Sequence, residues 1–109
     1  MNTSFTFYSK QIKITDDYGN LTELFKLGNA NRLLLDLPQL NMNNYLKSER
    51  CIEIASTLED SIRITKGRHG MTSAYYLIML DAAGKLSSDF RLQMLQTILT
   101  NTSIFTGEL

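Results

Sequence analysis

The densest collection of chemistry-capable side chains lies just past the middle of the chain, where Arg63, Lys66, Arg68 and His69 surround Gly67 and precede Gly70. Met71-Thr72-Ser73 follows as an expected helix start. Free backbone N–H groups and the positive end of that helix dipole would then stand beside guanidinium groups, a combination able to hold a phosphate. The more economical reading is a solvated turn whose basic residues favour the C-terminal end of the preceding helix.

Other chemistry has little to stand on. His69 is the one histidine and Cys51 the one cysteine, so neither a conventional zinc set nor a nucleophile with its own oriented base can be assembled within one chain. Cys51 falls on an apolar helical face, where a thiol packs as a small hydrophobe. Asp16-Asp17 and Glu59-Asp60 are adjacent in sequence, and adjacent helical residues do not face each other, so neither makes a general acid and base pair. The six glycines are scattered and form no phosphate-cradling loop. The expectation is a protein that is not an enzyme, with no catalytic residues, metal or cofactor.

Composition narrows the partners. Eleven Lys and Arg balance eleven Asp and Glu, leaving no global field to attract a polyanion or an anionic bilayer. The longest apolar run, Ala74 to Leu80, is far short of the roughly 20 residues that span a bilayer. The opening MNTSFTFYSKQ lacks the charged start and apolar stretch of a secretory leader. With a single cysteine, these features suit a reducing, cytoplasmic setting without membrane association.

The elements that would position any site read as mainly helical. Phe5 to Ile14 alternates as a half-buried strand whose phase shifts between Phe7 and Ile12, which a bulge or tight turn near Ser9 and Lys10 would repair. Asp16-Asp17-Tyr18-Gly19 reads as a turn, and Asn20-Leu21-Thr22-Glu23 resembles a capping box that starts a helix near Leu21. Gly28 is placed as its C-cap, with a second piece from Asn29 through Leu33, Leu34, Leu35 and Leu37 to Pro38.

A long helix is expected from Tyr45 to about Ile64, with Cys51, Ile54, Ala55, Leu58 and Ile62 on one face. Its β-branched end, residues 61–65, could instead be a short strand paired with the N-terminal one. The next helix, Ala74 to Ala83, is apolar on nearly every side and ends at Gly84, and Ser87 or Ser88 caps a last helix. The fold expected is mainly α: one domain over residues 1–109, a compact bundle of about four to five helices, with residues 1–15 as an N-terminal strand or hairpin and 103–109 as a loose tail.

Two functional readings follow. A helix apolar all round is covered by neighbours or by a partner chain, so Tyr75, Tyr76 and Met79, with Phe105 from the tail, are candidates for contact with another protein. The leading expectation is a bacterial or phage regulatory or adaptor protein, non-enzymatic and homodimeric, whose partner is a second protein. The alternative is a small DNA-binding regulator, or a subunit of a nucleic-acid complex, using Arg63, Lys66, Arg68 and His69. It is less favoured: a helix-turn-helix can be drawn over Leu21 to Ile54, but a reading helix needs net positive charge toward phosphates and the long helix sets Lys47, Arg50 and Arg63 against Glu49, Glu53, Glu59 and Asp60. An inhibitor or immunity-type protein is a weaker third reading.

Overall fold

Phe5, Phe7, Ile12 and Ile14 can share one face of a hairpin only if the chain reverses between them, because side chains alternate along each strand. The computed structural model, which describes residues 1–7, 10–65 and 70–100, shows this arrangement. Strand β1 (Thr3–Phe7) pairs antiparallel with β2 (Lys10–Thr15), Phe5 opposite Ile12 and Phe7 opposite Lys10, and all four apolar side chains are buried. Lys10 already belongs to β2, while Ser9, the other residue of the expected bulge, lies outside the described residues. Asp16 and Asp17 then take φ of 51° and 75°, the left-handed pair that a two-residue type I′ turn requires, and return the chain as β3 (Tyr18–Asn20).

The sheet does not end there, and this overturns the expected mainly helical bundle. Five antiparallel strands form one sheet in the order β1-β2-β3-β5-β4, where β4 is Ile62–Thr65 and β5 is Met71–Tyr75. Of the described residues, 53% are helical and 24% lie in strands. Phe5, Phe7, Ile12, Ile14 and Ala74 point into a helical layer, while Ser4, Thr6, Gln11, Lys13 and Thr15 face water on the other side.

The helical layer begins at once after β3. Asn20 caps α1 (Leu21–Leu34) as its sequence implies, its side-chain oxygen accepting from the Glu23 N–H at 2.9 Å. Gly28 does not end this helix. A Cβ built there would lie 2.7 Å from Leu86 Cδ1, so glycine is needed for close packing against Leu86 within this layer rather than for a cap.

The expected helix from Tyr45 to Ile64 is instead α2 (Met42–Leu46), α3 (Glu49–Ala55) and β4. Ser48, extended at ψ 151°, breaks it by accepting from the Cys51 N–H, an N-cap that competes with helix continuation. Ser56 and Thr57 hydroxyls donate back to Glu53 and Ile54 carbonyls, and Asp60 at φ 58° turns the chain into β4. Residues 62–65 therefore form a strand, but its partner is β5 and not the N-terminal strand.

The helix expected to begin at Met71-Thr72-Ser73 and to run through Ala74 to Ala83 starts at Tyr76. Met71 to Tyr75 is β5, a central strand between β3 and β4. Helix α4 (Tyr76–Leu86) continues through Gly84 and stops at Ser87, whose side chain then caps α5 (Ser88–Thr100). Ile78, Met79, Ala82 and Ala83 are fully buried among α1, α3, α5 and the sheet. Phe90, Met94 and Ile98 hold α5 over β1, with the Phe90 ring edge-on to Phe7.

Candidate functional site

Where β5 passes into α4, the antiparallel register places Tyr75 opposite Tyr18 on the solvent-facing side of the sheet. Their rings meet edge to face with centroids 5.9 Å apart, and Tyr76, the first residue of α4, brings a third ring to 4.6 Å from Tyr75. Arg63 reaches over from β4, its guanidinium carbon 3.8 Å above the Tyr18 ring, while its Nε donates to Asp60 Oδ2 at 2.8 Å. The Tyr18 hydroxyl donates to the Asp60 carbonyl at 2.6 Å. Burial, helped by the neighbouring Tyr76, pushes the Tyr75 phenol up to about 12.

This cluster unites Tyr75 and Tyr76, singled out as contact residues, with Arg63, singled out as an anion ligand. It can offer phenol hydroxyls and aromatic area. It is poor at attracting phosphate, because the Arg63 charge is already matched by Asp60, which also raises the guanidinium's affinity for its proton. The helix dipole expected after the basic turn is missing as well, since Met71 opens a strand. Lys66, Arg68 and His69 lie outside the described residues, as does Phe105.

Met79 is not at a surface. It is 0% exposed and closes over Gly19, where a Cβ would come within 2.7 Å of its Cε. A run of apolar side chains that water does reach lies elsewhere, at the tip of α1. Leu33, Leu34 and Leu35 are 66%, 79% and 61% exposed, and Leu37 is 44% exposed. Asn29 fastens the return loop beneath them by exchanging two 2.8 Å hydrogen bonds with the Leu40 backbone, and Arg32 donates to the Pro38 carbonyl.

No family model, curated protein or solved structure matches the chain.

Two features, Tyr18 and the leucine tip, went unnoticed as sites in the sequence. Tyr18 read as a turn residue because β3 has only three residues, too few for alternation to register. The leucines did carry a signal: three in succession project about 100° apart on a helix, so no single core face can cover them all.

Two further polar groups are matched between helices. The Tyr45 hydroxyl donates to Asp81 Oδ2 at 2.8 Å and Arg50 Nε to Asp81 Oδ1 at 3.1 Å, tying α2 and α3 to α4. Burial first, then Asp81, raises the Tyr45 phenol, and burial raises the neighbouring Cys51 thiol, so Cys51 is held as an inert buried thiol. Among the described residues no buried side-chain nitrogen or oxygen lacks a partner, no three His, Cys, Asp or Glu gather as metal ligands, and no helix is long and apolar enough to cross a membrane.

Proposed function

We propose that this chain is a non-enzymatic regulatory or adaptor protein that works in the cytoplasm as a homodimer by binding another protein. The observation that carries the reading is the leucine tip of α1, where Leu33, Leu34, Leu35 and Leu37 present apolar side chains to water at the helix end and in the return loop braced by Asn29 and Arg32. A rigid exposed apolar patch is a feature of protein contact sites. The zero net charge and the neutralised Arg63 fit a protein partner better than a nucleic acid. The lone buried Cys51 suits a reducing compartment.

The test is affinity purification of the tagged chain from its native host, with nuclease, beside a Leu34→Ser/Leu35→Ser variant shown to fold by circular dichroism. A near-stoichiometric protein held by the native chain, and reduced about tenfold or more with the variant, is the expected result. Equal capture by both chains, or bound material that nuclease releases, overturns it.

A further inference from the structure

We infer that the dimer forms by pairing the free edge of β4 with the same edge of a second copy, joining two five-stranded sheets into one. Strand β4 is last in the sheet order, and no described segment pairs with its outer side. The backbone phase shows which groups face outward. The Tyr75 N–H donates to the Ser61 carbonyl at 2.8 Å, so 61 and 75 form a hydrogen-bonded pair in this antiparallel ladder. Along the same register, Arg63 with Ser73 and Thr65 with Met71 are also hydrogen-bonded pairs. The N–H and C=O groups of Ile62 and Ile64 therefore point away from β5 into the open edge.

Some of the devices that discourage pairing are missing from this edge. It carries no proline, and its one charged side chain, Arg63, lies on the open sheet face, drawn inward over Tyr18 and matched by Asp60. On the helical face Ile64 is 64% exposed although its β5 partner Thr72 is buried, so a β-branched side chain stands at the rim without cover.

A second copy fits because the pattern is self-complementary. A two-fold axis perpendicular to the sheet at Arg63 sets Ile62 of each copy opposite Ile64 of the other. Every outward N–H and C=O of these residues then acquires a partner, and the isoleucines meet on the helical face. The two Arg63 residues face each other on the other side, each held back by its own Asp60 and Tyr18. Centring the axis on Ile64 would leave Ile62 without a partner among the described strand residues.

This inference rests on the reading that the chain works by protein contact. Its decisive variant is Ile64→Pro. The Ile64 N–H takes no part in the β4 and β5 ladder, so proline there removes a donor needed only between copies and is tolerated at an edge. Sedimentation equilibrium of the full chain should show a concentration-dependent dimer that Ile64→Pro weakens roughly tenfold to a hundredfold, with circular dichroism unchanged. Should that variant unfold, Ile64→Lys carries the same test by placing a charge at the rim. A native chain still monomeric at about 1 mM, or a dimer indifferent to the folded variant, overturns the pairing. Partner capture by a monomeric native chain would overturn the pairing and the homodimer, and leave the adaptor reading standing.

Discussion

Two apolar stretches, the leucine-rich tip of α1 and the body of α4, have opposite fates. Ile78, Met79, Ala82, Ala83 and Leu86 repeat at helical spacing and are almost wholly enclosed, whereas Leu33, Leu34 and Leu35 follow one another and remain more than 60% exposed. Burial is decided less by how apolar a segment is than by how many elements reach it. Helix α4 has the sheet beneath it and α1, α3 and α5 around it, while the α1 tip extends beyond them.

The hardest way to break this contrast is at Met79. Met79→Ala leaves a void between α4 and Gly19, and the loss of transfer energy plus a cavity costs roughly 2–5 kcal/mol in urea unfolding. A change below about 0.5 kcal/mol, with loss of partner capture, would instead put Met79 at an interface and reverse the assignment.

The same contrast explains what could be read in advance. Asn20 and Ser87 announced their helices because capping is local chemistry, and the strand alternation from Phe5 to Ile14 survived its phase shift because the reversal there is also local. The sheet beyond β2 did not show. Its central strand β5 buries only Thr72 and Ala74 and runs straight into α4, so the apolar count of the helix masked the strand before it. The helical period through Cys51, Ile54 and Leu58 likewise hid the break at Ser48, whose side chain could serve equally as a helix-surface hydroxyl or a cap. For the candidate site, Tyr75, Tyr76 and Arg63 were visible individually. Their convergence was not, because it depends on a strand order in which β5 lies between β3 and β4.

A middle-sized effect is expected at Tyr45, which joins the buried body to its periphery. Tyr45→Phe leaves Asp81 with Arg50 as its remaining side-chain partner and should cost about 1–2 kcal/mol. A result near zero would mean that α2 is held to α4 by packing alone.

Tyr75 tests the open side of the sheet through pH. Its phenol is raised to about 12 by burial and Tyr76, against an unfolded value near 10, so the folded chain keeps a proton that the unfolded chain has begun to release. Stability from this group is intact below about pH 10 and declines as pH rises toward about 12. Melting temperatures measured over that window should fall less steeply in Tyr75→Phe than in the native chain; parallel slopes would show that the Tyr18, Tyr75 and Tyr76 cluster is more open to water than its geometry implies.

The smallest effect on stability is the one most informative about the α1 tip. Leu34 is the most exposed of its leucines, so Leu34→Ser removes side-chain area that is largely wet in both folded and unfolded chains, and little transfer energy is lost. The helix cost of serine at this last position of α1 is also small, because Leu34 lies at the helix end, where backbone groups fray in any case. Urea unfolding of monomeric protein should therefore move by less than about 0.5 kcal/mol. A loss above about 1.5 kcal/mol, especially one that grows with protein concentration, would mean that Leu34 is covered in the assembled protein and that a second copy, rather than a different partner, sits on the tip.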